Sequence, residues 1–174
     1  MDNQFDTCLG FVLGAEGGFS NDPRDPGGAT YRGITIGSLR DWLGDPDATV
    51  EQLQALQPDD VAGFYRSRYW DSVCCGSMPA GLDLMVFDHA VNAGNHGSAV
   101  LLQRVLGVDD DGQVGPLTLG AIAGRDVVTL LGQLRAAQEA SYRRTRNFRA
   151  FGRGWLRRVG ERHARAVAMA HASV

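Results

Sequence analysis

The chain has 174 residues, 44% of them hydrophobic, which suits one domain with a real core and excludes a disordered chain. No apolar run approaches the roughly 18 residues of a membrane span, and the opening MDNQFDTC has two aspartates and no base, so a Sec signal is not expected. The net charge of −3 is unevenly spread: residues 1–134 hold seven Arg and 18 acids, residues 135–174 hold ten Arg and two acids, and lysine is absent. A basic end of this kind suits nucleic acid, an anionic envelope polymer or the acidic part of the same fold. The last is favoured, and nucleic acid is not expected as a partner. Cys8, Cys74 and Cys75 are odd in number, two of them adjacent, with neither a disulfide pattern nor zinc spacing.

Taken in chain order, residues 2–16 read as a helix. Phe5, Leu9 and Val12 form an apolar stripe, and its next step falls on Glu16 at the last turn. Gly17 and Gly18 then stop the helix. Residues 19–37 read as turns and a short β hairpin, with Asp25-Pro26-Gly27-Gly28 as the strongest turn signal and β-branched residues from Thr30 onward. A short helix is expected over 38–43, started by Ser38. Thr49-Val-Glu-Gln52 resembles a capping box, and Pro58 opens a further helix running toward Tyr69-Trp70. Helices are expected over 82–93, 97–106, 116–123, 126–146 and 155–172, with Pro116 fitting a first turn. The fold class is α, with a small β hairpin near the N-terminus.

Glu16 carries the chemical question. On an apolar helix face a carboxyl loses solvation, which disfavours its charged form and suits a general acid. Equally, a glutamate at a helix end can be hydrated or paired with an arginine. Asp25 follows on a turn that could fold back over the helix end, and Thr30 and Thr35 offer hydroxyls beyond it. A protonated acid, an ionised carboxylate and a hydroxyl that positions water are the parts needed to hydrolyse a glycosidic bond.

Glu16-Gly-Gly-Phe19, Asp22-Pro-Arg-Asp25-Pro-Gly-Gly28, Thr30 and Gly33-Ile-Thr35 resemble the signature of glycoside hydrolase family 108, the N-acetylmuramidases found as phage endolysins and secretion-associated muramidases. Tyr69-Trp70-Asp71 and Phe87-Asp88-His-Ala-Val-Asn92-Ala-Gly94 are similar to that family's middle helices. Asp111-Gly-Gln-Val-Gly115-Pro116-x-Thr118 and Gly154-Trp155-Leu-x-Arg158-Val159 resemble the predicted peptidoglycan-binding segment that follows.

The resemblance implies a lysozyme-like catalytic part over residues 1–106 and a helical segment over 107–174 packed on it. It implies cleavage of the β-1,4 bond between N-acetylmuramic acid and N-acetylglucosamine. Glu16 would be the general acid, Asp25 the base or electrostatic stabiliser, and Thr30 or Thr35 would hold the water. Asp88 and Asn92, at i and i+4, could bind an N-acetyl sugar or bridge buried backbone, and Tyr69 and Trp70 could stack on sugar rings or belong to the core. Asp109 to Asp111 lack the spacing of a calcium loop, and no metal or cofactor is expected. The expected partner is the peptidoglycan glycan strand, met by a monomer in the periplasm or wall after a holin, dedicated export or lysis. The alternatives are a lytic transglycosylase and a non-catalytic wall-binding or phage structural module.

Overall fold

The computed structural model describes residues 3–14, 17–21 and 28–173, and it forms two compact units, Met1–Arg68 and Tyr69–Val174. Glu16 and Asp25 lie outside the described residues. The fold is mostly helical with a small antiparallel sheet near the N-terminus, as expected. No helix of the described residues is long and apolar enough to cross a membrane.

In the first unit, α1 (Asn3–Leu13) buries Phe5, Cys8, Leu9 and Val12, so the apolar stripe read from the sequence is a core face. Three short strands follow: β1 (Phe19–Ser20), β2 (Thr30–Tyr31) and β3 (Ile34–Thr35). They pair antiparallel in the order β1-β2-β3, with Ser20 opposite Thr30 and Thr30 opposite Thr35. The β2–β3 turn has only two residues, Arg32 and Gly33, both at positive φ (48° and 78°). That is the hairpin geometry whose twist matches the strands, and an arginine adopts it only at a cost. The Tyr65 hydroxyl offsets the cost by donating to the Arg32 carbonyl at 2.8 Å, which fastens the turn tip to α4 (Pro58–Tyr65).

The helix expected to start at Ser38 begins two residues earlier. α2 (Ile36–Leu43) is capped by Thr35, whose hydroxyl accepts the Ser38 N–H. The cap is itself the last residue of β3, because the strand runs directly into the helix. α3 (Val50–Gln54) carries the expected capping box between Thr49 and Gln52. Phe64 on α4 meets Trp42 and Tyr65 edge-on, at centroid distances of 5.7 and 5.6 Å. A wide π turn, Arg66–Trp70, leaves the end of α4.

In the second unit α5 (Leu82–Ala93) is the central helix. Every residue from Leu82 to Ala90 is buried, because α6 (Asn95–Leu106), α8 (Val127–Arg143) and α9 (Phe148–Ala172) all pack on it. α8 and α9 also run along each other after a four-residue link. α7 (Pro116–Ile122) starts at the expected proline. The loop before it is an anchored turn. Gln103 of α6 accepts the Gly112 N–H at 2.8 Å and donates to Asp111 and to the Gln113 carbonyl at 2.8 and 3.0 Å. α9 starts at Phe148, seven residues before its expected start at Trp155.

Candidate active site

Glu16 belongs to the link between α1, ending at Leu13, and β1, starting at Phe19; Asp25 belongs to the connection between the paired strands β1 and β2. Within the first unit the hairpin register sets Thr30 directly opposite Thr35. The Thr30 hydroxyl donates to the Gly28 carbonyl at 3.3 Å. The Thr35 hydroxyl accepts the Ser38 N–H at 3.1 Å and donates to the Ser38 hydroxyl at 2.9 Å, so it is occupied in starting α2.

The second unit holds the other four sequence candidates. Tyr69 is half-buried and Trp70 is 1% exposed, its ring edge-on to Phe87 at 5.4 Å. Trp70 is therefore a core residue with no face open to a sugar. Asp88 is 0% exposed and holds two guanidinium groups. Its Oδ1 accepts from Arg158 Nη2 at 2.6 Å and from Nε at 3.2 Å, and its Oδ2 accepts from Arg162 Nη1. The carboxylate is closed to a ligand because it compensates arginines of α9. Asn92 is exposed and donates to the Asp88 carbonyl at 2.6 Å.

The arginine pair is what the sequence reading missed, and the network continues from it. Arg162, 0% exposed, also donates from Nη2 to Gln138 Oε1 at 2.6 Å, and Gln138 donates to the Met85 carbonyl at 3.1 Å. One signal was present: Arg158 and Arg162 stand at i and i+4 beside the apolar Val159 and Ala166, so both lie along the buried side of α9. His89 sits next to this pair, edge-on to Tyr142 at 5.7 Å. Burial, helped by the Arg162 charge and opposed by Asp88, lowers its pKa from 6.5 to about 3. The imidazole is therefore neutral.

Asn92, Ala93, Tyr142, Thr145, Trp155 and the two arginines line a cleft of about 260 Å³ at the ends of α5 and α8 against α9. Tyr142 and Trp155 lie 5.4 Å apart at 32°, and Phe151 continues the row 5.9 Å from Trp155. Among the described residues no three His, Cys, Asp or Glu side chains gather as metal ligands.

The family model described as Glycosyl hydrolase 108 matches residues 9–94, a span that contains all eight of these candidates. The structure of SagA from Brucella abortus is similar over nearly its whole length: TM-score 0.86 and 34% identity, covering 98% of this chain and 97% of that one. No curated protein matches the sequence.

Proposed function

The chain belongs to the glycosyl hydrolase 108 family, glycoside hydrolases of muramidase type that act on peptidoglycan, and on that premise we propose that it hydrolyses the β-1,4 bond between N-acetylmuramic acid and N-acetylglucosamine with Glu16 as the general acid. One observation carries this reading. Glu16 opens the Glu16-Gly-Gly-Phe19 motif inside the residues that the family model matches, three residues past the end of α1, whose Phe5, Leu9 and Val12 are buried.

The chemistry then follows from the residue types. The Glu16 carboxyl gives its proton to the glycosidic oxygen as the bond from that oxygen to the anomeric carbon breaks. Positive charge develops on the sugar ring, and the carboxylate of Asp25 stabilises it or takes a proton from the attacking water. The Thr30 hydroxyl is the better of the two threonines for holding that water, since Thr35 is occupied as a helix cap. A separation of roughly 6.5–9.5 Å between the two carboxyls, the inverting arrangement, suits an aspartate carried on a turn. In this reading the protein works as a monomer in the cell wall, with residues 107–174 holding glycan while packed on the helices before them.

Glu16→Gln is the test. The amide keeps size and polarity but cannot supply the proton, so lysis of purified peptidoglycan should fall at least roughly 10²–10⁴-fold while the fold is kept. Lysis above a tenth of the wild-type rate sinks the assignment. Mass spectrometry of the wild-type products separates hydrolysis from transglycosylation, whose anhydro product is lighter by one water.

A further inference from the structure

We infer that the cleft at the ends of α5 and α8 against α9 binds an acidic saccharide, with the sugar ring on Trp155 and Tyr142 and its negative charge in the arginine field around Thr145. Two independent features point there. The first is shape: about 260 Å³ gives room for a single pyranose ring. Tyr142 and Trp155 line it, and outside the lining Phe151, 58% exposed, continues their row of rings. The C–H face of a sugar is apolar and buries well on such rings, whereas a large exposed aromatic in water gains nothing.

The second feature is charge. From Ala140 to Gly160 the chain carries seven arginines and no carboxylate. Thr145, which lines the cleft, stands between Arg144 and Arg146. Arg144, Arg146, Arg149 and Arg153 are exposed and form no ion pair among the described residues. A concave surface under one sign of charge concentrates the opposite sign. Asn92, exposed at the rim, adds an amide suited to an acetamido group.

The choice of an amino sugar rests on the proposed activity; the carboxylate and the ring do not. In peptidoglycan the carboxylate has two sources, the lactyl ether of N-acetylmuramic acid and the end of the stem peptide amide-linked to it.

The test is titration of the full chain carrying Glu16→Gln, followed by ligand-observed NMR. The probes are N-acetylmuramic acid, N-acetylglucosamine and muramoyl dipeptide. One or both acidic probes should bind at least about tenfold more tightly than the neutral sugar, and the tighter of the two identifies the source of the carboxylate. Trp155→Ala should weaken binding roughly tenfold. Arg144→Gln with Arg146→Gln, both exposed positions, should weaken it about threefold and flatten its salt dependence. The inference is overturned if N-acetylglucosamine binds as tightly as the acids, or if Trp155→Ala, folded by circular dichroism, binds unchanged. Lysis retained by Glu16→Gln with binding as described defeats only the catalytic reading; lysis lost with no binding defeats only this one.

Discussion

Around Asp88 each side chain is where it is because of the charge beside it. The carboxylate makes the burial of Arg162 tolerable, Gln138 takes one more of its donors, and His89 stays uncharged next to them. The histidine gives the protein an acid sensitivity of known sign. Its folded pKa is about 3, while an unfolded histidine titrates near 6.5. The unfolded chain therefore takes up a proton that the folded state refuses. The stability gained from a neutral His89 is fully present above about pH 6.5 and is lost as pH falls from there toward 3. His89→Gln removes that loss. Between about pH 7 and about pH 4 the urea midpoint of the variant should fall clearly less than that of the wild type, by up to about 1.4 kcal/mol of stability per pH unit. An equal fall in both proteins would show that His89 is not the group responsible. None of this was legible locally. The partners of Asp88 lie 70 and 74 residues along the chain, and only the i, i+4 spacing of two arginines beside apolar residues hinted that they face inward.

Helix starts were legible where a local side chain makes them. Thr49 with Gln52, Pro58 and Pro116 were found because each acts within one turn of its own position. The start of α9 was missed because Asn147 offers no side-chain cap to mark it. Gly152 proves to be a packing residue: the ring of Phe148 lies 2.5 Å from where its Cβ would stand. Gly81, just before α5, is the stricter case. It has φ +90°, and an added Cβ would lie 2.3 Å from the Ala166 carbonyl oxygen of α9. Backbone cannot swing aside as a side chain can. Gly81→Ala should cost at least about 3 kcal/mol, combining the strained φ with the displacement of α9. Urea denaturation measures it, and a loss under about 1 kcal/mol would show that the two helices separate freely.

The fold class was legible at the scale of the whole chain, because amphipathic periodicity and turn residues suffice for a helical protein with a small hairpin. How the pieces enclose one another was not legible. α5 has no solvent face over Leu82–Ala90, and its covering comes from helices on both later stretches of sequence. A chain ending at Leu106 would keep α5 and α6 but lose α8 and α9. It should show no cooperative thermal transition for the second unit and should bind a hydrophobic dye. A truncated chain with a native-like helical spectrum and sharp melting would refute this.

The same enclosure sets an order of events during synthesis. The ion pairs of Asp88 span 70 and 74 residues, so α5 leaves the ribosome long before Arg158 and Arg162 exist to meet it. Through that interval a helix buried on every side in the finished fold has only α6 of its covering helices beside it, and its Asp88 carboxylate is uncompensated. The second unit thus completes only once Arg162 has been made, and until then the buried side of α5 stays exposed to other chains. A stop before Arg158 removes both partners of Asp88 and leaves its carboxylate without a counter-charge.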